Sequence, residues 1–412
     1  MTEPRLLAGL AADVPMALAD HQAVHGGLPP SDGLLAAVEA AGLRGRGGAA
    51  FPTVVKLATA GRGTRPVVVI NGAEGEPMSA KDRVLLTRMP HLVLDGALVS
   101  AQAIGAREII VAAPRGMLLG LGSAVRERRG SDPGRVRWRL EGSPDTFVGG
   151  EETALLAHLE GRPALPRTRP PLPAQRGLRG RPTLVQNVET LAQVALIARY
   201  GPAWFREVGT PDHPGTTLVS LSGAVAQPGV YEVPLGFPIG ALAALAGGAL
   251  EPIRALLVGG YFGAWIGGDG EGLTLDNASL GGFGAAVGAG VVVLLGASSC
   301  PVAEVAALAD WLSDASAGQC GPCVHGLAAL SDLLRRVESG QTVPGDSTRL
   351  SRWTAMVRGR GACSHPDGAA RMLASASRVF ARELAEHARR GHSPSCRIVP
   401  TLHLPRADTG AA

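Results

Sequence analysis

Cys320-Gly-Pro-Cys323 sets two thiols one turn apart, and Cys363 follows 40 positions after the second. Such a pair usually belongs to a larger metal site. Cys300 lies upstream and Cys396 near the end, so a four-coordinate set can be drawn in several ways. Five cysteines, an odd number spread thinly over 412 residues, build no disulfide framework. A metal or redox role in a reducing cytosol fits them better.

A second chemistry-bearing stretch is "GLRGRGGAAFP", residues 42–52. Gly45, Gly47 and Gly48 would let backbone N–H groups approach an anion closely, and Arg44 and Arg46 add charge. The spacing is neither a Walker A loop nor the G-x-G-x-x-G fingerprint, and a plain tight turn explains the same glycines. "GLGSAV", residues 120–125, reads as a helix-start turn. Two acidic stretches follow, "NGAEGEP" and "GGEETA". Acids opening a helix suit the positive end of its dipole, so a solvated helix start is the simplest account of an isolated Glu-Glu pair.

Bringing these groups into register requires a scaffold. Apolar runs such as Val67–Ile70 alternate with helical periods through the first half, the pattern of a parallel-sheet α/β domain. After Asp212-His213-Pro214-Gly215 the pattern changes to short strands and Gly/Pro turns, a β-rich module ending in the strand Val291–Leu295. From Pro301 onward four helical segments read as a four-helix bundle. The expected division is 1–213, 214–297 and 298–391, with 392–412 a loop or disordered tail.

Composition narrows the function further. With 46% hydrophobic and 18% charged residues the chain is globular rather than disordered. Its net charge of +4 comes almost wholly from arginine, since Lys56 and Lys81 are the only lysines. That bias reads as genomic base composition, and no basic motif with interleaved aromatics supports nucleic-acid binding. The apolar run 281–299 carries too many glycines to insert in a membrane, where about 20 strongly apolar residues are needed. The first twenty residues lack the basic region of a signal peptide.

Taken in order, "GLRGRGGAAFPTVVK", "NGAEGEPMSAKDR", "GGEETALLAHLEG", "PRTRPPLPAQRGLRGRPTLVQNVETLA" and "GQCGPC" resemble the NADH-binding flavoprotein subunit of respiratory NADH:quinone oxidoreductase and of related NAD-linked hydrogenases and formate dehydrogenases. The resemblance implies a Rossmann-like FMN domain, a β-grasp (ubiquitin-like) module and a four-helix bundle carrying one [4Fe–4S] cluster. It implies that Gly45, Gly47, Gly48 and Lys56 surround the FMN phosphate and ribityl chain. Asn71, Glu74, Gly150, Glu151, Glu152 and Asn187 would continue the flavin pocket. Phe51 would flank the adenine of NADH, and Glu76 and Glu152 would stand near the nicotinamide as the acidic residues of the reaction. Electrons would leave through the cluster to a thioredoxin-fold or ferredoxin-like protein, in an assembly peripheral to a membrane.

The departures from the family pattern fall at defined places. Ala73 stands for a flavin-contacting Asp, Phe147 for a Tyr and Gly149 for a Cys, while Gln186 takes one of two pocket amide positions. Thr59 and Leu172 replace aromatics that stack on adenine, a contact worth about 1–3 kcal/mol per base in nucleic-acid sites. Ala317 replaces the first cluster cysteine, leaving Cys320, Cys323 and Cys363. A [4Fe–4S] cluster with water, His325, His365 or a partner as fourth ligand, a [3Fe–4S] cluster or Cys3His zinc site, and a site without metal all remain open. His325 alone reads most simply as a helix-surface histidine, and Cys300 and Cys396 as core and tail cysteines. The same losses also fit a different class of protein, a degenerate homologue serving as a non-catalytic scaffold.

Overall fold

A computed structural model of the chain describes residues 3–10, 14–129, 136–168, 171–268, 270, 272–391 and 400–405. Four strands, β1 (Val67–Asn71), β2 (Glu108–Ala113), β3 (Arg137–Gly142) and β4 (Thr183–Asn187), form a parallel sheet in the order β3-β2-β1-β4. Val67, Val68, Val69 and Ile70 are all fully buried, as an unbroken β-branched run requires when helices cover both faces. Val68 and Ile70 pack with Leu94, Leu98 and Leu191 from the helices Pro90–Ile104 and Val188–Arg206. Val67 and Val69 face Leu155 and Leu156 of the helix Glu152–Leu159. Pro90 opens its helix and Gly105, at φ +72°, closes it. The 120–125 stretch lies inside the helix Leu118–Arg129 rather than at its start.

The second sheet holds β5 (Thr216–Gly223), β6 (Gly229–Pro234), β7 (Ile253–Val258), β8 (Ala264–Gly267) and β9 (Val291–Gly296), in the order β6-β5-β9-β7-β8. Its central β5–β9 pair is parallel and the other three pairs are antiparallel. Strand alternation splits its side chains cleanly. Val219, Val258 and Val292 cover one core with Leu242, whereas Leu257, Val291 and Val293 pack against the C-terminal helices.

Those helices are Pro301–Asp314, Ala328–Glu338, Asp346–Val357, His365–Val379 and Ala381–Arg390. The fourth expected helix therefore breaks in two. Phe380, 1% exposed, turns out of helical geometry and packs edge-on against Trp265 at 5.2 Å. Part of the expected loose tail is also held: Leu402 is buried in the bundle core. Cys300 is buried, as expected of a core cysteine, and Cys396 lies outside the described residues. Among the described residues, no single helix is long and apolar enough to cross a membrane.

One buried ion cluster ties the two sheets together. Glu189, fully buried in the first turn of its helix, accepts the Leu218 N–H and the Thr217 hydroxyl of β5, each at 3.0 Å. Its other oxygen meets Lys81 Nζ at 2.8 Å, and Arg46 approaches within 3.9 Å. Replacing Glu189 with Gln takes away the carboxylate beside Arg46 and leaves Lys81 paired with Asp82 alone. It should cost about 3 kcal/mol, measured as a lowered denaturant midpoint.

Candidate functional site

A cleft of about 670 Å³ opens beyond the C-terminal ends of β1 and β4. The sheet order reverses direction between these strands, which is where open α/β sheets leave a crevice. Gly45, Gly47, Gly48, Phe51, Lys56, Asn71, Glu74, Glu76, Gly150, Glu151, Glu152 and Asn187 all line it. So does Cys363, whereas Cys320 and Cys323 lie outside the lining. The second sheet contributes Gly259 and Gly288, and the bundle contributes His365, Asp367 and Arg371.

The 45–50 loop is closed by a 2.9 Å hydrogen bond from the Gly45 N–H to the Phe51 carbonyl. Gly48 sits at φ +108°, and Ala50 holds a left-handed conformation at +49°, which costs a non-glycine residue energy. A Cβ at Gly47 would come within 3.2 Å of the Asn187 Cβ, so the loop lies directly on the end of β4. Arg46 does not add charge to the cleft as expected. Its backbone N–H donates to Thr190 Oγ1 at 2.8 Å, and its guanidinium turns away to the Thr216 carbonyl at 3.1 Å.

Several of the expected pocket residues prove to be structural at the same time. Glu151 caps the helix Glu152–Leu159 by accepting the Thr153 and Ala154 N–H groups at 2.9 and 3.0 Å. Glu74 accepts the Asp82 and Arg83 N–H groups and the Ser79 hydroxyl at the start of the helix Lys81–Arg88. Asn187 caps the helix Val188–Arg206 and donates to Asp82 Oδ2 at 2.5 Å. Asn71 braces the floor by donating to the Gly150 carbonyl at 2.8 Å. The helix start capped by the neutral Asn187 faces the cleft and favours negative charge there, whereas the start of the helix Glu152–Leu159 already holds the Glu151 carboxylate.

Both lysines of the chain reach the cleft. Burial lowers Lys56 to about 8, against the opposing pull of Glu151, and its ammonium contacts the Glu152 carboxylate. Burial also disfavours the charge of Lys81, but Asp82 and Glu189 outweigh it and hold this ammonium above the ordinary range. Asp82, buried beside them, is raised to about 6. Glu76 is raised to about 7, chiefly by burial, while N–H donation from Tyr261 at 2.8 Å and Met78 at 3.4 Å works in the other direction. Lys81 and Asp82 are site residues that the motifs alone do not single out. The rarity of lysine is the available signal, since an arginine-biased chain keeps it at two positions only.

The cysteines border this cleft through an aromatic cluster. Phe147 meets Phe262 at 4.7 Å and Trp311 at 4.9 Å, both edge-on, and His365 at 5.7 Å. Cys320 and Cys323 flank the start of a π-helical turn, Pro322–Leu327, with the Cys323 N–H donating to the Cys320 carbonyl at 3.1 Å. Cys363 arrives from a loop two helices later. Burial and the neighbouring Cys320 push the Cys323 thiol up to about 12, and burial raises Cys363 as well. Among the described residues, no three His, Cys, Asp or Glu side chains close around a point that could hold a single metal ion. His325 is exposed. His365 is buried, with Nε2 donating to the Leu312 carbonyl at 2.7 Å and Nδ1 without a partner. Phe51 stands at the cleft rim, 37% exposed, while Thr59 and Leu172 are absent from the described lining.

Residues 38–196 match the family model of the Nuo51 FMN-binding domain, and residues 303–387 match the iron–sulfur binding region of NADH-ubiquinone oxidoreductase-F. An F-type NADH-quinone oxidoreductase subunit of Rhizobium meliloti is 35% identical over 380 residues, covering 86% of this chain and 89% of that protein. Its F-type counterpart in Streptomyces coelicolor is 35% identical over 376 residues, with 86% and 83% covered. Among solved structures, an NAD+-reducing [NiFe]-hydrogenase in the air-oxidized state superposes with a TM-score of 0.84 at 33% identity, covering 97% of this chain and 69% of that one.

The residues fit a flavin phosphate and ring. The glycine loop, Lys56 and the Asn187-capped helix start suit an anion, and Gln186 keeps a buried Nε2 on the cleft wall without a partner. Lys56 carries its charge below about pH 8 and loses it above. FMN affinity should therefore fall as pH rises through 8. Lys56→Met should weaken binding by about tenfold and flatten that dependence in fluorescence-quenching titrations.

Proposed function

Because this chain belongs to the NADH-ubiquinone oxidoreductase-F family, we propose that it is the electron-input flavoprotein of a multisubunit complex, oxidising NADH with FMN and an iron–sulfur cluster. The observation that carries the reading is that Cys363 belongs to the wall of the same cleft as the glycine loop and the β1 and β4 termini. A flavin in that cleft would border the cysteine site. When bound, the flavin takes up a hydride and the cluster takes electrons singly, chemistry that no side chain here supplies.

The polypeptide's part is binding, orientation and electrostatics. Gly45, Gly47, Gly48 and Lys56 are assigned to the phosphate and ribityl chain, and Asn71, Glu74, Gly150, Glu151 and Asn187 to the remaining flavin pocket. Phe51 is assigned to the adenine of NADH. Glu76 and Glu152 are assigned to the ring, where their carboxylates would oppose added electron density and so tune its potential and product release. Cys320, Cys323 and Cys363 are the cluster ligands in this reading, and Ala317 leaves one corner without a thiolate.

The strand order β3-β2-β1-β4 with helices on both faces supports a Rossmann-like domain over 1–213. The order β6-β5-β9-β7-β8 around a parallel central pair supports a β-grasp module over 214–297. The helices of 298–391 are the cluster-bearing bundle. The partner is read as a thioredoxin-fold or ferredoxin-like protein, in a complex peripheral to a membrane. A scaffold without cofactors would have no use for two cleft lysines and an unpartnered Gln186 Nε2 on the cleft wall.

Two outcomes test this. Protein made with ample riboflavin should release FMN on acid precipitation, and Gly47→Val, which drives a branched side chain toward Asn187, should abolish retention. Anaerobically purified protein should hold iron and sulfide, and Ala317→Cys should make the cluster more resistant to air. Stoichiometric zinc, or no metal in either form, would refute the cluster.

A further inference from the structure

We propose that residues 400–405 form a strap that positions Glu76, by fixing the two loops whose backbone amides hold its carboxylate. The proposal rests on the reading of Glu76 as an acidic residue of the NADH site. Neither amide belongs to a sheet ladder. Tyr261 lies in the turn between β7 and β8, and Met78 in the loop between β1 and the helix Lys81–Arg88. Gly260, at φ +87°, lets that turn close on the carboxylate, because a Cβ there would stand 2.5 Å from Glu76 Oε2.

His403 hydrogen-bonds to both loops through its backbone. Its carbonyl accepts the Tyr261 hydroxyl at 2.5 Å, and its N–H donates to Met78 Sδ at 3.3 Å. The strap is anchored on either side of that residue. The buried Glu304 carboxylate accepts the Thr401 N–H at 2.5 Å and the Leu402 N–H at 3.2 Å, and the Leu402 side chain is buried. Trp311 Nε1 donates to the Pro405 carbonyl at 2.6 Å. Glu304 and Trp311 both belong to the first helix of the bundle, so the strap couples the cysteine-bearing domain to a carboxylate on the opposite wall.

The direction of the effect follows from the hydrogen bonds. Burial raises Glu76, and the two N–H donors resist that rise, so losing them should raise it further. Glu74 also raises it. Lys56, Glu152, His365, Asp367 and Arg371 share its cleft and are left untouched by the variants below.

The test is the infrared carboxyl band of protonated Glu76 against pH, identified by its loss in Glu76→Gln, in the full chain without NADH. Tyr261→Phe removes the hydroxyl but keeps the ring and the backbone N–H; Leu402→Asp expels the strap without touching either loop. Each should move the midpoint upward, with proton affinity rising about fivefold, the worth of one hydrogen bond. Lowered thermal stability with an unmoved midpoint would reduce the strap to a cover over the bundle and overturn the proposal. If Tyr261→Phe moves the midpoint while Glu76→Gln oxidises NADH normally, the strap stands and the role of Glu76 in the NADH site falls. Should Leu402→Asp not fold, Tyr261→Phe alone decides.

Discussion

The architecture turns on a charge that the fold cannot leave unpaired. Glu189, fully buried, binds β5 through its Thr217 and Leu218 contacts, the helix Lys81–Arg88 through Lys81, and the glycine loop through Arg46. An isolated carboxylate in that position would be prohibitively costly, so each element that neutralises it is held in register. The walls of the cleft are thereby set relative to one another. The loop that would receive a phosphate, the Asn187-capped helix start that favours an anion, and the second sheet all meet at one ion cluster.

Above that cluster the cleft separates its charges by depth and cause. Burial weakens the Lys56 ammonium and the Glu76 carboxylate alike, leaving both near the neutral range where small changes alter their charge. Lys81, deeper and doubly paired, remains fixed as a cation. The bundle closes the remaining side with Cys363 and with aromatic rings packed edge-on around Phe147. The Phe147 ring, without a tyrosine hydroxyl, lies edge-on among Phe262, Trp311 and His365. Membership of the oxidoreductase-F family and the intact cleft together favour the catalytic reading over the scaffold.

Much of this is legible in the sequence because the local signals are strong. The β-branched run at Val67–Ile70, the glycine spacing at 45–48 and the helical periods after Pro301 each name their element. Every glycine and acid singled out for the pocket lines the cleft. What escapes is decided at long range. Arg46 reads as an anion ligand, yet Glu189, over 140 positions away, draws its guanidinium behind the loop. Phe380 ends a helix whose apolar period continues past it, because burial against Trp265 outweighs local propensity. Gly259, Gly288, Asp367 and Arg371 reach the site only through tertiary packing, and no local pattern announces them. The docking of Leu402 is equally invisible in a tail rich in Pro and Ser.

The central claim is that one cleft receives hydride and delivers single electrons to the neighbouring cysteine site. Anaerobic titration of the purified, flavin-loaded protein with NADH measures this most directly, following the flavin absorbance and the paramagnetic resonance of the cluster together. The account predicts that NADH bleaches the flavin and that the signal of a reduced cluster grows with the bleaching. An unbleached flavin at saturating NADH, or a bleached flavin beside a cluster that stays oxidised, would contradict it.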